Sequence, residues 1–254
     1  MTLRRFVVAR IPNSVRIRKR ALQSWLRGEK ELRLVSLMCE KHALAIDVGA
    51  NYGIYSYFMS RHSAGVVAFE PVPECARFIR SALPGVRLVE GAASDRAGTA
   101  TLWIPVEPDA ISSPTLEHFN GLGASRMRSL VVQLETLDSL NLRPVGLIKI
   151  DVEGHELSVL RGALGTIERD HPTILVEAEE RHRPGAVASV QDLLSSLGYR
   201  GFFLFRDRLE SIEIFDCQIH QDVTVLGLAS ANLAYVNNFI FVHRDRGEII
   251  EQLR

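Results

Sequence analysis

A chain of 254 residues, 46% apolar and 24% charged, is long enough for one large core and has the make-up of an ordinary globular protein without low-complexity tracts or internal repeats. Its apolar runs fall far short of the roughly 20 residues a membrane-spanning helix needs, and Cys39, Cys75 and Cys217 have no metal or redox spacing, so buried thiols in a reducing, cytoplasmic setting are expected. Net charge is zero but uneven: residues 1–33 hold ten Arg or Lys against two Glu.

That basic lead, taken as residues 1–30, precedes a single expected domain over residues 31–254. Arg16, Lys19, Arg20, Arg27 and Lys30 are interleaved with Ile17, Leu22, Trp25 and Leu26, the pattern of a basic amphipathic helix. Such a helix suits an anionic membrane surface or an acidic partner, which would make the protein peripheral to the inner face of the membrane. The plainer reading is a capping helix whose Trp25 packs on the domain. The segment lacks the uninterrupted apolar stretch of a signal peptide.

Residues 31–41 carry apolar positions at helical spacing and lead into a buried strand over residues 44–48. The strand ends in Asp47-Val48-Gly49-Ala50-Asn51-Tyr52-Gly53, a glycine-containing turn into a helix over residues 52–60, where a ligand can approach the backbone. A second strand, Val66-Val67-Ala68-Phe69, ends in Glu70, an acid suited to accepting both hydroxyls of a ribose. Together the two features indicate a nucleotide-type cofactor. A helix over 73–82, framed by Pro73 and Pro84-Gly85, and a third strand over 86–89 continue the alternation.

Strands are expected at 98–105 and 130–134, around a polar stretch from Glu107 to Arg128 that reads as a long recognition loop or lid. A fourth parallel strand, Leu147-Ile148-Lys149-Ile150, ends in Asp151-Val152-Glu153-Gly154-His155-Glu156. A helix to about residue 168, a fifth strand over 173–176 ending in Glu177, and a helix over 189–197 follow. The aromatic-rich runs 201–205 and 239–242 can close the sheet as an antiparallel pair. The whole is an α/β fold with a mostly parallel, doubly wound sheet, whose ligands bind at the carboxyl ends of its strands. Three strands end in acids at that rim, which stability alone explains poorly because like charges repel.

The blocks Ile46 to Gly53, Phe69-Glu70-Pro71, Thr136-Leu137-Asp138 and Ile148 to Glu156, in this order and spacing, resemble the FkbM family of S-adenosylmethionine-dependent methyltransferases. The resemblance spans about residues 30–245. It implies a class I methyltransferase (Rossmann-like) sheet of seven strands with the last antiparallel. It also implies that Asp47, Gly49, Ala50, Asn51 and Gly53 line the methionine end of the cofactor, that Glu70 holds the ribose with Pro71 beside it, and that Ala92, Ala93 and Ser94 lie near the adenine. The charges agree: Asp47, Asp151 and Glu70 complement the donor's cationic groups, and N–H groups of the glycine turn can take its carboxylate. A dinucleotide turn reads G-x-G-x-x-G, whereas this one reads G-x-N-x-G and sets Asn51 where close pyrophosphate approach favours glycine.

Methyl transfer to a hydroxyl is an in-line displacement that needs alignment and proton removal. His155 is the first candidate for the base, flanked by Glu153 and Glu156, with Glu153 next and Asp151 beside them. Lys149 reads as a buried partner of one of the acids. No metal is assigned, although Asp151, Glu153, His155 and Glu177 form the oxygen-rich set from which a divalent-cation site is built. The acids of Glu177-Ala178-Glu179-Glu180-Arg181-His182 suit a polyhydroxylated acceptor. The expected activity is S-adenosyl-L-methionine-dependent O-methylation of a sugar, glycan, glycolipid or polyketide-like hydroxyl. An NAD-dependent oxidoreductase and a non-catalytic cofactor-binding scaffold are the rivals. A nucleic-acid substrate is disfavoured, because no basic stripe accompanies the acidic rim.

Overall fold

The computed structural model describes residues 11–106, 114–116, 127–225 and 235–253. It opens with α1 (Asn13–Arg27), a 3-10 turn (Lys30–Leu34) and α2 (Val35–Met38), then alternates β1 (Leu44–Val48), α3 (Ile54–Met59), β2 (Gly65–Phe69), α4 (Pro73–Ala82) and β3 (Arg87–Val89). An excursion through β4 (Ala92–Ala93), β5 (Gly98–Pro105) and β6 (Met127–Glu135) precedes β7 (Val145–Ile150), α5 (Glu156–Arg161), α6 (Leu164–Asp170), β8 (Thr173–Glu177) and α7 (Ala186–Ser196). The chain ends with β9 (Tyr199–Phe205), β10 (Arg208–Ser211), α8 (Cys217–His220), β11 (Asn238–His243) and α9 (Gly247–Leu253). Apart from residues 114–116 and the first residues of β6, the stretch read as a recognition loop lies outside the described residues.

The main sheet has eight strands in the order β10-β9-β11-β8-β7-β1-β2-β3. From β8 to β3 all pairings are parallel, and β11 runs antiparallel to both neighbours. This is the expected sheet with its reversed strand, extended at one edge by β10, which folds back on β9. The order switches direction between β1 and β7, so a crevice opens outside their carboxyl ends.

Side-chain alternation divides the sheet cleanly. Ile46, Val48, Ile148, Ile150, Ile174 and Val176 face one way and bury Val159, Leu160, Ile167, Val190 and Leu194 of α5, α6 and α7. Ala45, Leu147, Leu175, Ile240 and Val242 face the other way, against Val35 and Met38 of α2, Met59 of α3 and Ile250 of α9. Each fully covered leucine or isoleucine contributes about 1.5–3 kcal/mol. A separate three-stranded sheet, β4-β6-β5, packs Leu102, Ile104, Val132 and Leu134 against Val72 and Cys75 at the start of α4.

Some elements differ from expectation for identifiable reasons. The helix expected to run from the end of β7 to residue 168 is two helices, α5 and α6. At Gly162 between them a Cβ would stand 1.9 Å from the Ser94 carbonyl oxygen, so the chain passes too close for any side chain. The α6 start is held by Asp138, whose carboxylate accepts from the Gly165 and Thr166 N–H groups at 2.9 and 2.8 Å and from the Thr166 hydroxyl at 2.7 Å. Residues 30–38 form a 3-10 turn and one short helical turn rather than a continuous helix. Cys217 is exposed and Cys39 half-buried, so of the three thiols only Cys75 is buried as expected.

Asp138→Ala removes a charged acceptor from two N–H groups and a hydroxyl, and is expected to cost about 2 kcal/mol. For a domain of this size the unfolding midpoint would fall by about 4–8 °C, read by calorimetry, with cofactor affinity unchanged.

Candidate active site

The site grows from the seam between β1 and β7. Register sets Asp47 directly opposite Lys149. At the end of the seam Gly49 lies so close to β7 that a Cβ would meet the Asp151 carbonyl oxygen at 1.8 Å. Gly49, Asn51 and Gly53 all have positive φ, at 76°, 51° and 74°. This coiled turn delays α3 to Ile54, two residues later than the apolar pattern suggests.

Four of the turn's N–H groups are already engaged. Those of Gly49 and Ala50 both donate to the Phe69 carbonyl at 3.1 and 3.0 Å, and that of Gly53 donates to the Ala50 carbonyl at 2.7 Å. The Asn51 N–H donates to the Glu70 carboxylate at 2.6 Å. The other Glu70 oxygen accepts from the Val72 N–H at 2.7 Å. Of the glycine turn expected to offer N–H groups to the donor's carboxylate, Gly49, Ala50, Asn51 and Gly53 have theirs engaged within the protein. They lock the turn to β2 and aim Glu70 instead. Burial pushes the Glu70 carboxyl up to about 7 despite its two N–H partners.

Two clefts meet at this turn and share Gly49, Asn51 and Asp151. One, enclosing about 690 Å³, runs over Glu70, Pro71, Ala92 and Ala93, under Leu102 and Leu116, to Val152 and Glu153. The other, about 860 Å³, runs under α1 between Arg20, Glu29, Tyr52, Tyr55 and Lys149. The joined clefts form an elongated site with Glu70 on one side of the turn and the charged Arg20, Glu29 and Lys149 on the other. Each Glu70 oxygen spends one acceptor site on the backbone, to Asn51 and Val72, and keeps another for a hydrogen-bond donor in the cleft.

Asp47 does not line either cleft. It is fully buried beneath α3, accepts from the Ser56 hydroxyl at 2.5 Å, and lies 4.0 Å from the Lys149 ammonium. Lys149 donates to Asp151 at 2.9 Å. Burial works against the lysine charge, but Asp151 and Asp47 together hold it protonated and raise its pKa above the ordinary lysine value. Lys149 is thus the structural partner expected, shared by two acids. Asp151 is raised to about 6, by burial first, with Lys149 opposing.

His155 sits at the start of α5 with its Nε2 2.9 Å from the Ser94 hydroxyl, beside the cleft wall rather than in it. Ser94 is buried in that contact and lines neither cleft. The histidine that reaches the acids is His182, whose Nε2 lies 2.7 Å from Glu153 and 3.3 Å from Glu179. Burial disfavours its charge, yet hydrogen bonds to the two carboxylates raise it to about 9. Glu179 drops to about 2, burial being outweighed by Arg181, His182 and Tyr235. Sequence reasoning placed His182 only in an acceptor-facing run. Its pairing with Glu153, 29 positions earlier in the chain, follows from β7 and β8 lying side by side. Asp151, Glu153 and Glu177 bring one carboxylate oxygen each within 4.8 Å of one another, as a cation site requires, and His155 is not in that group.

A family model for the methyltransferase FkbM domain matches residues 47–203. The chain belongs to the FkbM methyltransferase family. It is 30% identical over 191 residues to the 31-O-demethyl-FK506 methyltransferase FkbM of Streptomyces tacrolimicus, across 61% of this chain and 72% of that protein. It is 29% identical over 176 residues to the hexuronic acid methyltransferase AglP of Haloferax volcanii, across 65% of this chain and 66% of that protein. The solved methyltransferase FkbM from Methylobacillus flagellatus KT shares the fold, with a TM-score of 0.50 at 15% identity over 80% of this chain and 44% of that one. Membership makes the protein a methyltransferase and implies S-adenosylmethionine as its methyl donor, setting aside the oxidoreductase and scaffold alternatives. Residues 11–46, including all of α1, precede the matched span.

The Glu70 carboxyl gives a pH signature. Only its ionised form accepts from both ribose hydroxyls, and a group near 7 is about one-tenth ionised at pH 6 and nine-tenths at pH 8. S-adenosylhomocysteine is expected to bind about tenfold more tightly at pH 8 than at pH 6 by calorimetric titration. Glu70→Gln should bind more weakly and flatten the profile; an unchanged slope in that variant would remove Glu70 from the ribose site.

Proposed function

We propose that the protein is an S-adenosylmethionine-dependent O-methyltransferase acting on a hydroxyl of a sugar-like or polyketide-like acceptor. The observation that carries this reading is Glu153, which lines the cleft beside Glu70 and whose carboxylate is backed by His182. The donor supplies a sulfonium-borne, electrophilic methyl carbon. Gly49 leaves room for close approach to the turn, and Glu70 and Asp151 hold the polar ends of the donor. Glu153 orients the acceptor hydroxyl and takes its proton. A carboxylate suffices because the hydroxyl proton becomes strongly acidic as its oxygen gains a carbon. His182, protonated at neutral pH, fixes the rotamer of Glu153. Of the relatives, one is named for a 31-O position, which supports oxygen as the atom methylated, and the other for a hexuronic acid, which supports a sugar-like acceptor.

The reading extends to where the acceptor is met. Ile11, Val15, Leu22, Trp25 and Leu26, on or just before α1, expose 40–58% of their surface. Arg18, Lys19 and Arg27 are exposed beside them, and α1 contains no acid. An apolar stripe with cations and a half-exposed tryptophan suits an anionic membrane surface, each cation adding roughly 1 kcal/mol. No helix among the described residues is long and apolar enough to cross a membrane. The acceptor on this reading is a glycolipid or a lipid-linked sugar.

Two measurements test these statements. With S-adenosylmethionine and a panel of uronic acids, hexoses and their lipid-linked forms, mass spectrometry should find a methyl ether. Glu153→Gln should lower turnover by about 10²–10⁴-fold and leave S-adenosylhomocysteine affinity within about twofold. Methylation at nitrogen or sulfur alone, or full turnover in the variant, would sink the assignment. In vesicle flotation the protein should rise with phosphatidylglycerol and stay behind with phosphatidylcholine. Leu22→Asp with Leu26→Asp should abolish the difference, and equal behaviour of the two vesicle types would remove the membrane contact.

A further inference from the structure

The donor's amino-acid tail carries a carboxylate that needs a cationic or N–H partner when it leaves water. The usual provider at a strand-to-helix turn is the backbone, but Gly49, Ala50, Asn51 and Gly53 have committed their N–H groups to Phe69, Glu70 and Ala50. The cleft under α1 is faced by two cationic side chains, Lys149 and Arg20. Lys149 is held between Asp151 at 2.9 Å and Asp47 at 4.0 Å, so its charge is already balanced twice.

Arg20 is placed differently. It projects from α1 over the ring of Tyr52, its guanidinium carbon 4.0 Å from that centroid and 5.1 Å from the centroid of Phe78, whose ring meets Tyr52 edge to face. Seated over the Tyr52 ring, the guanidinium keeps its edge N–H groups for a planar anion. The helix is anchored by Ile17 and Ala21, both 1% exposed, with Ile17 packed against Phe78, so the arginine is held by the core of the domain. Across the same cleft Glu29 accepts from the Tyr55 hydroxyl at 2.6 Å, and Asp151 forms the opposite wall, so carboxylates stand ready for the ammonium of the tail.

The geometry points to Arg20 as the residue that binds the α-carboxylate of the donor's methionyl tail, making α1 the outer wall of the cofactor site. This rests on the methyltransferase reading of the clefts and adds to it a residue from outside the matched span 47–203. The basic lead then serves two ends: its inner face reads the cofactor, and its outer face carries the exposed apolar stripe.

Calorimetric titration of the full chain with S-adenosylhomocysteine and with 5′-methylthioadenosine, which has the nucleoside and sulfur but no amino-acid tail, tests the assignment. Arg20→Met keeps an aliphatic stem against Tyr52 and Phe78 and removes the guanidinium. It should weaken S-adenosylhomocysteine by about 10–100-fold and leave methylthioadenosine within about twofold. Arg20→Lys should recover part of the loss, and Arg18→Met, on the exposed face, should change neither ligand. Loss of both ligands in equal measure, or of neither, would overturn the carboxylate contact. A wild-type chain that binds neither ligand would overturn the cofactor reading itself, which separates that failure from this one.

Discussion

The site depends on one close approach, that of β1 to β7 at their carboxyl ends. Parallel pairing there sets Asp47 opposite Lys149 and presses Gly49 against the Asp151 carbonyl. A side chain at Gly49 would part the two strands and with them the clefts that meet at the turn. The lysine on the α3 side of the seam has a matching consequence: a buried ammonium is tolerable only with partners, and Asp47 and Asp151 supply them from adjacent strands. Replacing one of the three would leave an uncompensated charge in the interior, commonly costing 3–5 kcal/mol. The seam therefore has to form as a unit, and it positions Asp151 at the junction of both clefts.

The same reasoning explains how so many acids share one rim. Like charges do not simply accumulate there. Glu179 and Glu153 are paired with Arg181 and His182, Glu177 accepts from Asn237 at 2.8 Å, and Asp151 has Lys149. Glu70 has only backbone N–H groups, and burial holds it near 7. The rim thus contains acids neutralised by the protein's own cations, and carboxyls with no cation among the described residues: Glu177, which burial and neighbouring acids push well above the usual carboxylate range, and Glu70, left half-charged over the cleft. The second kind is where a ligand that donates hydrogen bonds gains most, because binding completes an electrostatic environment that folding alone leaves unfinished.

Most of the fold was legible because its signals are local. The strands over 44–48, 98–105 and 173–176, and α4 between its prolines, follow from apolar runs and breakers within a few residues of one another. Glu70 and the glycine turn were legible for the same reason. What sequence could not disclose are relations set by distant segments. The break at Gly162 is imposed by the Ser94 carbonyl, the His182–Glu153 pair by the adjacency of β7 and β8, and the withdrawal of Asp47 from the cleft by the register that gives it Lys149. The turn N–H groups looked available because nothing near them in sequence competes for them. Their acceptors, the Phe69 carbonyl and the Glu70 carboxylate, arrive on β2. Likewise the block Thr136-Leu137-Asp138 stands out in sequence without disclosing its task, which is to cap α6 from the far side of β7.

The lead helix shows how composition can suggest one role and geometry two. Its cations were read as a single basic face. On a helix, however, Arg20 points roughly opposite to Leu22, and Ile17 with Ala21 occupies the flank between them. The burial pattern separates these directions: Ile17 and Ala21 are sealed, Arg20 is half-buried over Tyr52, and Leu22, Leu26 and Arg18 face out. A helix that only capped the domain would gain nothing from exposed leucines. One that only met a membrane would have no use for an arginine laid over Tyr52 at the mouth of a cleft. With both present, α1 turns Arg20 toward the cleft and Leu22 and Leu26 toward solvent, two faces of one helix with different surroundings.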